Sequence, residues 1–91
     1  MTEARRPVIS GIVQGVGFRY GMAAQARLLG VAGWVRNRRD GSVEAMVCGD
    51  AEQLAAMIAW ARHGPAGADV AHVAVELGTG DYTDFEQRPS A

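Results

Sequence analysis

The stretch Val31-Ala32-Gly33-Trp34-Val35-Arg36-Asn37-Arg38-Arg39-Asp40-Gly41-Ser42-Val43-Glu44-Ala45-Met46-Val47-Cys48 lies at the middle of a 91-residue chain and reads as two strands joined by a tight turn. Val31 to Arg38 and Ser42 to Cys48 are the two strands, and Asp40-Gly41 is a turn dipeptide between them. A three-residue loop, Arg39 to Gly41 with Gly41 left-handed, gives the most consistent pairing. It sets Val35 opposite Ala45 on the core face and Arg36 opposite Glu44 on the other, a favourable cross-strand ion pair. Asn37 then falls opposite Val43, at the strand end beside the turn.

Helical signals flank this hairpin on both sides. Before it, Tyr20 to Leu29 contains Met22-Ala23-Ala24-Gln25-Ala26-Arg27-Leu28-Leu29, a strong helix-forming run ending at Gly30, a good residue for the position after a helix. Gly21 weakens its first turn. After the hairpin, Asp50 reads as an N-cap with Gln53 three residues on, and Leu54, Met57, Ile58 and Ala61 recur at helical spacing toward a core. Met57 and Trp60 read as packing residues, and Arg62-His63-Gly64-Pro65 stops the helix. Outermost are Val8 to Val13, a strand preceded by Pro7, and Val70 to Leu77, an alternating strand with Ala71, Val73 and Val75 inward. Asp81 to Asp84 is a turn, and Phe85 to Arg88 a short final strand.

The order β-α-β-β-α-β plus a short extra strand predicts an α+β ferredoxin-like sandwich: an antiparallel sheet with two helices on one face. Residues 1–91 form one domain, since a compact unit typically takes about 50 to 200 residues. This arrangement hosts enzymes, RNA binders and regulators alike and does not choose among them.

Composition removes several options. Ten acidic against nine basic residues give a net charge of −1, hence no whole-molecule field for nucleic acid or an anionic membrane. All nine basic residues are arginine, so there is neither a Schiff-base lysine nor a P-loop lysine. The single cysteine, Cys48, excludes an internal disulfide and reads as a buried, inert thiol. No signal peptide or membrane span is recognisable, and the cytoplasm is the expected location. His63 and His72 have no cysteine or carboxylate at metal-ligand spacing, so no metal and no other cofactor is expected. No serine elbow exists, and Gly15-Val16-Gly17 fails as a dinucleotide fingerprint because Tyr20 stands where the third glycine belongs.

One segment remains: Val13-Gln14-Gly15-Val16-Gly17-Phe18-Arg19-Tyr20, a glycine-bearing loop running from a strand into a helix. Successive backbone N–H groups can point there into one concavity, with the positive end of the helix behind them. Arg19 can add a bidentate fork to two phosphate oxygens. From the residues alone, a phosphate cradle and a merely tight turn stand level, and Asn37 reads as a residue stabilising the hairpin turn.

Val-Gln-Gly-Val-Gly-Phe-Arg at 13–19 resembles the signature loop of the acylphosphatase family, residue for residue. A second signature, Gly-Trp-Val-Arg-Asn at 33–37 followed by Asp-Gly-Ser-Val-Glu at 40–44, is similar too. Gly49, the capped helix, Gly64-Pro65 and the Phe85/Arg88 tail follow in the family's order, so the likeness covers roughly residues 7–88. The resemblance implies hydrolysis of acyl phosphates to a carboxylate and inorganic phosphate. It puts phosphate binding on the loop Gln14, Gly15, Val16, Gly17, Phe18 and Arg19, and orientation of the attacking water on Asn37. It further implies a metal-free enzyme acting on a small molecule, and a monomer is the default expectation.

So spare a site is chemically sufficient. A carboxylate leaving group, with a pKa near about 4, departs without a general acid. Phosphoryl transfer through a loose transition state rests on positioning and charge stabilisation. Two residues depart from the family pattern: Gln87, where Phe-x-Ile-Arg has an inward aliphatic, and Gly21, in place of a larger residue. The expectation is a looser C-terminal edge and a looser first helix. Rivals are an RNA-binding module, since Gly15, Gly17 and Phe18 overlap part of an RNP1 pattern, and a non-catalytic phosphate-binding domain. RNP1, however, belongs on an internal strand late in its domain. A module cut from a larger maturation protein is a third rival, disfavoured by the look of Met1 and Ala91.

Overall fold

A computed structural model describes residues 2–91. In chain order it contains β1 (Glu3–Ile12), α1 (Phe18–Leu29), β2 (Ala32–Asn37), β3 (Val43–Gly49), α2 (Ala51–His63), β4 (Asp69–Leu77) and β5 (Phe85–Gln87). The hairpin forms in the expected register: Val35 pairs with Ala45, Arg36 with Glu44 and Asn37 with Val43. Arg38 N–H donates to the Ser42 carbonyl at 2.9 Å across a three-residue loop, in which Gly41 has φ 92°. Asp40 fixes the loop by accepting at Oδ1 from both the Ser42 hydroxyl (2.6 Å) and the Ser42 N–H (2.9 Å). Those bonds, the hydroxyl's first, hold the Asp40 carboxyl below the usual carboxylate range.

The sheet order is β4-β1-β3-β2-β5. The first four strands pair antiparallel, the arrangement expected of β-α-β-β-α-β, while β5 adds parallel to β2 and makes the sheet mixed. Ile9, Val35, Ala45, Val47 and Val73 from the sheet meet Met22, Ala26, Leu54, Met57 and Ala61 from the helices in one buried cluster. The opposite sheet face carries a smaller cluster of Trp34, Met46 and Cys48, with Tyr82 against it. Cys48 is buried as expected, and burial, followed by the Asp81 charge, pushes its thiol pKa up, which disfavours the reactive thiolate.

Helix α2 starts with the complete capping box: Asp50 accepts from Gln53 N–H at 2.8 Å, and the Gln53 side chain accepts from Asp50 N–H at 2.8 Å. Gln53 also donates to the Leu29 carbonyl at 2.9 Å, tying the end of α1 to the start of α2. Asp50→Ala is therefore expected to cost about 1 kcal/mol. In a domain of this size that lowers Tm by roughly 4–8 °C. Thermal unfolding checks the shift.

Several details depart from expectation. Strand β1 begins at Glu3, because pairing with β3 and β4 recruits Glu3 to Pro7 as well. Helix α1 begins at Phe18 and not Tyr20, with Gly17 as its left-handed N-cap. Ala71 does not point into the core. A register shift opposite Ser10 and Gly11 leaves Ala71 unpaired and exposed, and Val70 packs inward in its stead. Val75 lies 40% exposed on the edge strand, and Ile58 is only partly buried. Gly21, expected to loosen α1, sits against α2: a Cβ there would stand 3.0 Å from the Trp60 ring. The missing side chain is what lets the two helices approach.

Candidate active site

Between the end of β1 and the start of α1 the chain turns within Val13 to Gly17. Both margins of the turn are pinned by buried side chains. Val13 is 1% exposed, and Phe18 is 2% exposed, its ring edge-on to Trp60 with centroids 5.3 Å apart. Gly15 (φ 74°) and Gly17 (φ 80°) both take left-handed backbone, with open space where a Cβ would be. Their glycine requirement is thus conformational and not steric. Left-handed residues at these alternate positions curl the backbone into a nest.

The consequence is a cluster of N–H groups with nothing among the described residues to bond. Among the described residues, no N–H from Gly15 through Tyr20 donates to another backbone or side-chain group; the first that does is Gly21, to the Gly17 carbonyl at 2.9 Å. No side chain caps α1. The positive end of that helix is open to an anion.

The loop borders a small pocket of about 110 Å³, lined by Gly15, Gly17, Phe18 and Arg19 from the loop and helix, and by Asn37 from the end of β2. Drug-sized ligands occupy pockets of roughly 300–1,000 Å³, so this one suits a small group. Of the nine arginines, six reach a carboxylate or carbonyl oxygen of the protein. Arg19, Arg39 and Arg62 make no such contact among the described residues, and of these three only Arg19 lines the pocket.

The Asn37 amide makes no hydrogen bond to the described protein, and its Oδ1 is buried. The backbone around it is tightly held: Asn37 pairs with Val43, its carbonyl accepts from Ala91 N–H at 3.0 Å, and the next carbonyl, Arg38, accepts from Gln14 Nε2 at 2.8 Å. Gln14 Nε2 also donates to the Ser42 carbonyl at 2.9 Å. The first residue of the loop thereby grips the base of the hairpin that carries Asn37. Turn stabilisation runs through Asp40 and Ser42, with no bond from the Asn37 side chain.

Of the residues singled out from sequence, Gly15, Gly17, Phe18, Arg19 and Asn37 converge on the pocket. Gln14 and Val16 do not line it; Gln14 is engaged with the hairpin, and Val16 packs against the core. Val13, Tyr20 and Gln87 also line it without having been marked as site residues. For Gln87 a signal existed, an amide where an apolar residue is expected. His63 and His72 are exposed and outside the pocket, and among the described residues no group of three or more His, Cys, Asp or Glu side chains is placed to hold a metal ion.

The acylphosphatase family model matches residues 5–87. An acylphosphatase from Cupriavidus pinatubonensis is 54% identical over 80 residues, which covers 88% of this chain and 89% of that one. Among solved structures, an acylphosphatase from Coxiella burnetii superposes with a TM-score of 0.91 at 35% identity, covering 96% of this chain and 93% of that one. One from Bacillus subtilis gives 0.90 at 31% identity, covering 97% and 99%.

Proposed function

The chain belongs to the acylphosphatase family and hydrolyses acyl phosphates, and on that premise we propose that the pocket at the start of α1 is where the reaction occurs. One observation carries the assignment. A loop and helix start whose N–H groups are unpartnered, an arginine and an amide, all without a hydrogen-bond partner among the described residues, line one small pocket.

The N–H groups from Gly15 onward and the Arg19 guanidinium hold the phosphate oxygens, with Arg19 bonding two of them in parallel. The Asn37 amide orients a water in line with the bond to be broken. The water oxygen bonds to phosphorus, the P–O(acyl) bond breaks, and its electron pair departs on the carboxylate. The proton lost by the water ends on the phosphate. Gln14 acts at one remove, holding the loop to the hairpin so that phosphate and water meet at a fixed separation. Preorganisation of this kind supplies most of what a loose phosphoryl transition state needs.

The finer expectations belong to the same proposal: a single domain that works as a metal-independent monomer in the cytoplasm, with a small-molecule acyl phosphate as substrate and no nucleic-acid or membrane partner. The net charge of −1 supports the absence of a polyanion partner. Among the described residues no helix is long and apolar enough to cross a membrane.

The test is release of phosphate from benzoyl phosphate or acetyl phosphate with EDTA present throughout. The rate should survive exhaustive chelation, and inorganic phosphate and sulfate should inhibit competitively, because the pocket recognises the tetrahedral anion whatever acyl group it carries. Phosphate should also raise Tm against a chloride control of equal ionic strength. Activity lost to EDTA and restored by Mg²⁺ or Zn²⁺ would overturn metal independence. Indifference to tens of millimolar phosphate would overturn the pocket.

A further inference from the structure

We propose that Gln87 is a further catalytic residue, whose side-chain amide donates a hydrogen bond to the carboxyl group that leaves. This rests on the active-site reading above and concerns the half of the substrate that the loop does not grip.

Gln87 ends β5, which runs parallel to β2 with Gln87 beside Val35. Beyond it the chain stays on β2: Arg88 N–H donates to the Val35 carbonyl at 2.8 Å, and Ala91 N–H to the Asn37 carbonyl at 3.0 Å. The strand end that carries Asn37 and the strand end that carries Gln87 are therefore bound to each other. Side chains alternate along a strand, so Gln87 shares the face of Phe85. Phe85 is buried at 4% exposure; Gln87 is exposed and lines the pocket with Arg19 and Asn37. Its amide has no hydrogen-bond partner among the described residues, although the final strand pattern leads one to expect an inward aliphatic there.

The chemistry gives such an amide a task. Arg19 and the loop engage the phosphate oxygens, and Asn37 the water. That leaves the acyl carbonyl oxygen, neutral in the bound substrate and carrying half a negative charge once the P–O(acyl) bond has broken. An Nε2–H donor aimed at that oxygen binds more strongly as charge accumulates, so it favours the transition state over the ground state. No proton needs to transfer, because a carboxylate is a stable product at neutral pH. Inorganic phosphate has no acyl oxygen and gains nothing from this contact.

The experiment compares wild type with Gln87→Ile and Gln87→Glu on acetyl phosphate and 4-nitrobenzoyl phosphate, together with the inhibition constant of inorganic phosphate and thermal unfolding. Gln87→Ile removes the donor, and Gln87→Glu removes it while keeping the side chain's shape. Both variants should fold, since the residue is exposed. For acetyl phosphate, the poorer leaving group, kcat/KM should fall by about tenfold, the scale of a lost hydrogen bond to a charged group. The loss should be smaller for 4-nitrobenzoyl phosphate, and phosphate inhibition of Gln87→Ile should stay within about twofold of wild type. Equal losses on both substrates, a matching rise in the phosphate inhibition constant of Gln87→Ile, or unchanged rates would each overturn the assignment. Absence of phosphate inhibition in the wild type would instead remove the active-site reading beneath it, a separable result.

Discussion

Replacing Asn37 with alanine is expected to lower kcat by roughly a hundred- to a thousandfold, the effect of removing one preorganised polar group from a transition state. The inhibition constant of inorganic phosphate should stay within about twofold, since a residue that orients water makes no contact with the bound anion. The structure gives this residue no competing task. Its side chain takes no part in the turn, which Asp40 and Ser42 hold, and its amide has no partner among the described residues. Its backbone, in contrast, is bonded on both sides, to β3 and to the C-terminal tail. The substitution should therefore leave the hairpin folded, as thermal unfolding would verify. Full kcat in a folded Asn37→Ala variant would reduce Asn37 to a strand residue. A phosphate inhibition constant raised as far as that of Arg19→Ala would make it part of the phosphate grip.

That the hairpin could be read residue by residue reflects how strongly its signals agree. Asp40-Gly41 fixes the turn, the turn fixes the register, and the register puts Arg36 Nε 2.7 Å from Glu44 Oε1. The capping box at Asp50 and Gln53 was equally legible, because both halves of it lie within one helical turn. Errors arose where a distant part of the chain decides. Ala71 follows the alternation of its own strand and would face inward, but the pairing with β1 skips it, passing from His72 opposite Ser10 to Val70 opposite Gly11. Helix propensity makes Gly21 a defect; only the presence of Trp60 one helix away turns it into a point of close approach.

The candidate site divides along the same line. Its phosphate half is local, seven consecutive residues whose glycine pattern speaks of backbone geometry. Bringing Asn37 to that loop requires the antiparallel packing of β1 beside β3 and β3 beside β2, a matter of topology and not of spacing. Gln14 shows the coupling: 24 positions separate it from Arg38, whose carbonyl it binds. Gln87 belongs to the part that sequence made look like a weakness. An amide where an aliphatic is expected reads as poor packing, whereas Gln87 is exposed and lines the pocket.

Arg19→Ala should lower kcat/KM by roughly a hundred- to a thousandfold and, unlike Asn37→Ala, raise the phosphate inhibition constant as well. The guanidinium is tied to no carboxylate or carbonyl among the described residues, so its hydrogen bonds are available to substrate, and it serves bound ground state and transition state alike. Arg19→Lys should be nearly as damaging. A lysine keeps the charge but offers a compact ammonium on a flexible stem, where arginine presents a planar fork matched to two oxygens at once. If attraction were all that mattered, the open N-terminus of α1 and a lysine together would bind phosphate well, and activity would follow. What the reaction needs in addition is orientation. The P–O(acyl) bond must point away from the water at Asn37, and a single point charge leaves the phosphate free to rotate about it. The separating measurement is therefore the pair of constants and not the rate alone. Arg19→Lys should recover part of the phosphate affinity that Arg19→Ala loses, while its kcat stays close to that of the alanine variant. Recovery of most of the wild-type kcat would mean that charge suffices, and the two-bond grip on phosphate would have to be abandoned.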